Sequence, residues 1–318
     1  MFDLNSQLTT YHTAEELRNW KSIQKTLYLL FPLLLYFVVS DISDVLLWAF
    51  VNMLPGWLGA NAMEVLLGHA DSIKAIVFGI STVISMLFIR KMAVSELFAK
   101  NMDSAKNERK SAPPKGSAKG KDKRTSKERV IDSFRIRGDY RNCVYTLLAG
   151  IGLSLGLNIL FSLCGFTAGS KEYTQVATAQ YGVAFVLGIL LYGILSPLAE
   201  ELIFRAILLN RLKRIFPLWI GIGISSFLFG AYHMNLVQGV YGTLMGVFIG
   251  LMYEKTENFF IPVLFHAGAN VVVYICTYGK VFSRISNPIL WIMTVLFLIL
   301  GGLFFFLTFF GHNKQKNA

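Results

Sequence analysis

The chain has 318 residues, of which 54% are hydrophobic and only 15% charged; its net charge is +11 and its mean hydropathy +0.52. Soluble domains carry about 25% charged residues, and several apolar runs here approach or exceed the roughly 20 residues that a helix needs to cross a bilayer. A soluble globular domain is therefore excluded, and an all-α, polytopic integral membrane protein with about eight transmembrane helices is expected. The basic residues sit between and beside the apolar runs, the pattern of membrane topology, so no nucleic-acid partner is expected. Cys143, Cys164 and Cys276 lie in or beside apolar segments without CxxC spacing. Neither a zinc ribbon nor a disulfide framework is indicated.

Residues 1–20 contain Glu15, Glu16 and Arg18 and lack an apolar core, so they do not read as a cleavable signal peptide. Thr13 followed by Glu16 is a capping-box signature, which predicts a short helix near the membrane interface. Trp20 and Tyr28 suit an interfacial belt. The first apolar span covers about 26–54. Asp41 and Asp44 interrupt it and are read as the far membrane surface, with Pro55-Gly56 as a turn. The second span, about 72–89, ends at Arg90-Lys91.

Residues 92–140 change character. Between Lys100 and Val130 there are eleven Lys or Arg against four Asp or Glu, with Pro113-Pro114. That composition predicts a flexible cytoplasmic loop with anionic lipid as a partner. Six further spans follow, at about 143–165, 181–209, 218–234, 237–253, 259–279 and 288–310. Three regions result: 1–91 with an interfacial helix and two spans, the loop 92–140, and a six-helix core 141–318. Both termini are expected in the cytoplasm, in a bacterial plasma membrane. Gly242, Gly246 and Gly250 in the sixth span, at successive i+4 steps, are read as a packing stripe.

The stretch Ser196-Pro197-Leu198-Ala199-Glu200-Glu201-Leu202-Ile203-Phe204-Arg205 puts two carboxylates and a guanidinium inside an apolar run. Charges at such a place cost about 2.5–3.5 kcal/mol each on insertion scales, and they mark function. Glu201 and Arg205 are spaced i, i+4 with the acid first, the favourable order for an intrahelical ion pair. Neighbours on a helix diverge by about 100°, which leaves Glu200 free for chemistry. A purely structural Glu–Arg clamp is the bland alternative. Pro197 is expected to kink or break the helix just before Glu200.

Two histidines also fall in apolar spans, His233 in the fifth and His266 in the seventh, with Asn270 one turn beyond His266. Counting about 1.5 Å per residue from the basic boundary gives Glu200 roughly 16–20 Å of depth, His233 roughly 24 Å, His266 roughly 12 Å and Asn270 roughly 18 Å. The four could meet in one intramembrane cavity, expected to open toward the cytoplasm. His12, His69 and His312 lie at predicted ends or loops.

A buried carboxylate can act as general base on a water. His266 and Asn270 can supply donors to the resulting oxyanion. His233 can orient the water or protonate the leaving amine. Alternatively, His233 and His266 bind Zn²⁺, which lowers the pKa of a bound water. No H-E-x-x-H is present, so a zincin site is excluded.

Glu200-Glu201-x-x-x-Arg205, then Phe229-x-x-x-His233, then His266-x-x-x-Asn270 resembles the three-motif signature of the CPBP intramembrane proteases. That family comprises the type II CAAX prenyl endopeptidases and the bacteriocin-processing or immunity (Abi) proteins. The resemblance covers about residues 181–280. It implies an integral membrane endopeptidase, with Glu200, His233, His266 and Asn270 catalytic and Glu201, Arg205 and Phe229 supporting. Its substrates would be prenylated CAAX tails or leader and signalling peptides, with or without Zn²⁺. Two other classes stay open: a non-catalytic immunity or scaffold protein of the same fold, and a proton-coupled transporter, since buried Glu and His also build proton relays.

Overall fold

Helix formers and apolar runs dominate the sequence, and the computed structural model, which describes residues 4–59, 64, 66–111 and 140–311, is all helical over its regular elements. Two short helices, α1 (Leu4–Thr9) and α2 (Ala14–Arg18), precede α3 (Ser22–Leu58) and α4 (Ala70–Ser111). Then come α5 (Tyr140–Leu163), the short α6 (Lys171–Tyr181) and the long α7 (Phe185–Ile215). The chain continues through α8 (Leu218–Ala231), α9 (Leu236–Thr256), α10 (Phe260–Tyr278) and α11 (Asn287–Gly311).

Seven of these helices, α3 to α5, α7 and α9 to α11, are long and apolar enough to span a membrane. The expected fifth span is shorter than a crossing. At 14 residues, α8 covers about 21 Å, against a hydrocarbon core of about 30 Å. It ends at Ala231, and Met234 then turns the chain with φ 55°.

The predicted capping box is present: Thr13 Oγ1 accepts from the Glu16 amide at 3.3 Å and Glu16 Oε2 from the Thr13 amide at 3.0 Å. Pro55-Gly56, expected as a turn, lies inside the last turns of α3; the helix ends at Gly59, whose φ of +92° suits only glycine. Asp41 and Asp44 lie within α3, well before its end. Tyr28 is fully buried, packed edge-on against His12 and Trp20.

The second span does not stop at Lys91. Residues 92–111 are rich in Ala, Met, Glu and Lys, all good helix formers, and α4 runs through them to Ser111. Ala93, Glu96 and Leu97 there are buried. The expected loop 92–140 is thus helical in its first part, and the rest of it, 112–139, lies outside the described residues.

The helices alternate in direction, and one end of the bundle collects the basic residues. There Arg211 donates to the Leu8 and Tyr28 carbonyls and pairs with Glu96 at 2.9 Å. Lys213 pairs with Glu254 at 3.0 Å, and Lys255 lies over the Phe309 ring. The start of α3 and the ends of α7, α9 and α11 therefore share this end. The opposite end holds the α5–α6 connection, α6 and the α8–α9 turn.

The glycine stripe of α9 packs on α8. A Cβ on Gly242 would meet the Gly230 backbone, one on Gly246 would meet Ser226, and one on Gly250 would meet Ile222. The two helices can lie this close only because these positions lack side chains.

Candidate active site

The site is built on α7. Proline cannot donate to the carbonyl four residues back and its ring crowds that carbonyl. The helix does not break at Pro197. It widens: Ile189–Leu195 and Leu202–Leu209 are π-helical, flanking an α-helical Ser196–Glu201, and the Ser196 amide bonds to Leu191 O, five residues back. Such widened turns recur at functional sites. Here they bracket the two glutamates.

Glu200 and Glu201 are 6% and 0% exposed. They diverge, as expected, but they address the two nitrogens of one ring. Glu201 Oε1 accepts from His266 Nδ1 at 2.8 Å and from Arg205 Nη1 at 3.1 Å. Glu200 Oε2 lies 3.6 Å from His266 Nε2. Arg205 also donates to Gly246 O at 3.2 Å and lays its guanidinium over the Phe229 ring, 4.6 Å from its centre. Phe229 turns its ring edge-on to both His233 and His266, at 5.3 and 5.4 Å between centres.

A carboxylate or carbonyl can only accept, so the bonds fix the tautomers. His266 Nδ1–H faces Glu201, and His233 Nδ1–H faces Phe229 O at 3.0 Å. In the neutral form each ring then presents a bare Nε2, an acceptor. His266 can serve as an oxyanion donor through Nε2 only when protonated. Asn270 spends one amide hydrogen on Tyr192 O at 3.2 Å, which leaves its second for a ligand.

Ser196, which sequence reasoning passed over, donates to Glu200 Oε1 at 2.6 Å. Its signal was available: a polar residue one helical turn before the glutamate. Glu200 Oε2 is buried without any hydrogen-bond partner.

Glu200, His233, His266 and Asn270 all line one cavity of about 450 Å³, together with Ser196 and Phe229. Glu201 and Arg205 stand behind its wall. The cavity does not open toward the basic end as expected. It extends from Glu200 to Thr167, Tyr173 and Tyr181, at the α6 end. On the basic side Leu97, Ala206, Leu209, Ile222, Tyr253 and Phe259 close the bundle.

The residues do not fit a metal centre as arranged. Among the described residues no three His, Cys, Asp or Glu side chains gather as ligands, although both imidazoles keep Nε2 bare.

The model of the Rce1-like type II CAAX prenyl endopeptidases matches residues 182–272, which hold all three motifs. YdiL of Bacillus subtilis (strain 168), a candidate membrane peptidase, is 31% identical over 178 residues, covering 50% of this chain and 71% of YdiL. The chain belongs to the CPBP family. An uncharacterized 24.3 kDa protein of Escherichia coli is 34% identical over 92 residues, 27% of this chain and 42% of that protein. No solved structure matches. In CPBP terms the chain is an integral membrane protein of a protease family, and its three motifs converge on the cavity.

Proposed function

We propose that this protein is an intramembrane endopeptidase that hydrolyses a peptide bond with a water activated by Glu200. The observation that carries this reading is Glu200 Oε2: buried, without a hydrogen-bond partner and on the wall of a cavity. A volume of about 450 Å³ lies within the 300–1,000 Å³ usual for ligand sites. A carboxylate oxygen so placed is free to accept a hydrogen from a water in the cavity. Relatives in Bacillus subtilis and Escherichia coli favour a bacterial plasma membrane.

The chemistry follows from the acceptors. A water in the cavity donates one hydrogen to Glu200 Oε2 and the other to His233 Nε2. Its lone pair then faces the scissile carbonyl carbon. As the O–C bond forms, Glu200 takes the water proton and the carbonyl oxygen becomes an oxyanion. The free Asn270 amide hydrogen stabilises that charge. Collapse breaks the C–N bond, and the leaving amine takes from Glu200 the proton that the water gave it. Ser196 and Glu201 hold Glu200 and His266 in place throughout.

The test is turnover of a panel of prenylated and leader-type peptides by purified protein, wild type beside Glu200→Gln. General-base catalysis contributes about 10²–10⁴-fold, so the variant should lose turnover by that factor while its thermal unfolding stays close to wild type. Equal turnover by both forms would sink the mechanism. A strong chelator added to the same assay should leave the wild-type rate unchanged.

A further inference from the structure

The geometry points to substrate entry from the end opposite the basic residues, beneath α6, and to a substrate that is an internal, uncharged stretch of a peptide outside the cytoplasm. This rests on the peptidase reading and adds the side of entry and the substrate class.

The path is the first support. From Glu200 the cavity rises to α6. Toward the basic end the way is shut: Glu201, Arg205, Ala206, Leu209, Asn210 and Arg211 are each at most 1% exposed.

The roof is the second. Tyr173, Val176, Ala177, Gln180 and Tyr181 line the cavity, at i, i+3, i+4, i+7 and i+8 of one helical face. Lys171, Glu172, Thr174 and Gln175 on the other faces are exposed. This is an amphipathic helix lying across the mouth with its polar side outward. None of its residues is fully buried, so it is lightly held.

The charge distribution is the third. Among the described residues, Lys74, Lys171, Lys280 and Arg284 are the basic residues at the α6 end by chain direction, while Arg18, Lys21, Lys25, Arg90, Lys91, Arg211, Lys213, Arg214 and Lys255 lie toward the other. The helix ends that flank 112–139 are also on the basic side. The positive-inside rule makes that side cytoplasmic, and the mouth then faces out.

The lining is the fourth. Aromatic side chains are its commonest type, and among the described residues Glu200 is its one carboxylate and no Lys or Arg lines it. A peptide anchored by its free C-terminal carboxylate would find no cation there, and would bring a second negative charge beside Glu200. A neutral internal segment fits.

Thiol labelling reads the side of entry without turnover. In a background with Cys143, Cys164 and Cys276 replaced by Ser, three single thiols are introduced: Arg18→Cys at the basic end, Val176→Cys on the roof and Val273→Cys inside the cavity. Intact cells are treated with a small membrane-impermeant methanethiosulfonate, before and after permeabilisation. Val176→Cys and Val273→Cys should react in intact cells, and Arg18→Cys only after permeabilisation. Reaction of Val273→Cys only after permeabilisation, or in neither state, overturns the inference. Wild-type Cys164, exposed at the α6 end, gives the same reading in an unaltered fold.

The substrate class is tested with neutral peptides cut by wild type, each as free acid and as amide. Equal rates are expected. A preference for the free acid of about tenfold or more, the size of a charge-assisted hydrogen bond, overturns that half. Absence of all turnover would count against the peptidase reading itself, while the labelling result still decides the side of entry.

Discussion

Two buried carboxylate–guanidinium clusters meet on α7, where Arg205 and Arg211 are six residues apart, and they are built to opposite rules. At the basic end, Glu96 accepts from Tyr28 and Arg211 through Oε1, at 3.1 and 2.9 Å, and from Arg214 through Oε2 at 2.7 Å. The other Arg211 nitrogens reach the Leu8 and Tyr28 carbonyls, and the guanidinium stacks on the Tyr28 ring at 3.9 Å. Among the described residues of that cluster, only Arg214 Nε lacks a hydrogen-bond partner. Around Glu200 the satisfaction is deliberately short: Glu200 Oε2, Glu201 Oε2 and Arg205 Nε are all without one, and a cavity adjoins. A buried charge answered from every side fixes structure; one left short beside a cavity is available to a ligand.

Exchanging the same atom in the two clusters breaks or sharpens that contrast. Glu200→Gln removes a base and keeps the shape, so the rate should fall about 10²–10⁴-fold with little change in apparent melting temperature. Glu96→Gln should do the reverse. It strands Arg211 and Arg214 as buried cations, and breaking a buried pair costs about 3–5 kcal/mol. Melting in detergent should fall steeply, while turnover per folded molecule stays near wild type. A Glu96 variant that is stable and inactive would erase the distinction.

Glu201 is the intermediate case, since it belongs to both an ion pair and the His266 tautomer. Glu201→Gln should lower kcat by about 10–100-fold, the usual size for a group that orients a working imidazole, with KM little changed. Glu201→Asp should recover part of the loss. A merely structural Glu201 would lower melting without that split between kcat and KM.

The cluster around Glu200 was legible because charges in an apolar run stand out, and i, i+4 spacing alone joins Glu201 to Arg205 and puts His266 and Asn270 on one face. The other cluster was hidden by averaging. Residues 92–140 look disordered as a block, yet Ala93, Glu96 and Leu97 form a buried helical face at its start. Arg211 and Arg214 resembled ordinary topogenic flanks, although Arg211 is wholly buried. The direction of the cavity was likewise beyond a depth count. Distance along each helix places Glu200 near mid-membrane, but the seal beneath it comes from Leu97, Tyr253 and Phe259, on three other elements. The π-helical widening around Pro197 has no sequence signal beyond the proline itself.

The smallest expected effect tests whether the packing stripe also carries the site. A Cβ on Gly246 would sit 3.1 Å from Ser226 Cα and Cβ and 3.2 Å from Arg205 Nη2. The Ser226 backbone cannot rotate away, so α8 must retreat, an overpacking cost of about 1–3 kcal/mol. Gly246 O is also an acceptor for Arg205, so that shift passes through Arg205 to Glu201 and His266. At Gly250 the obstacle is the Ile222 side chain, with Cγ2 at 3.2 Å, and a side chain can change rotamer. Gly246→Ala should therefore lower both melting temperature and kcat, whereas Gly250→Ala should cost less stability and leave kcat unchanged. Equal losses of activity at the two positions would mean that α8–α9 spacing as a whole, and not the Arg205 contact, governs the site.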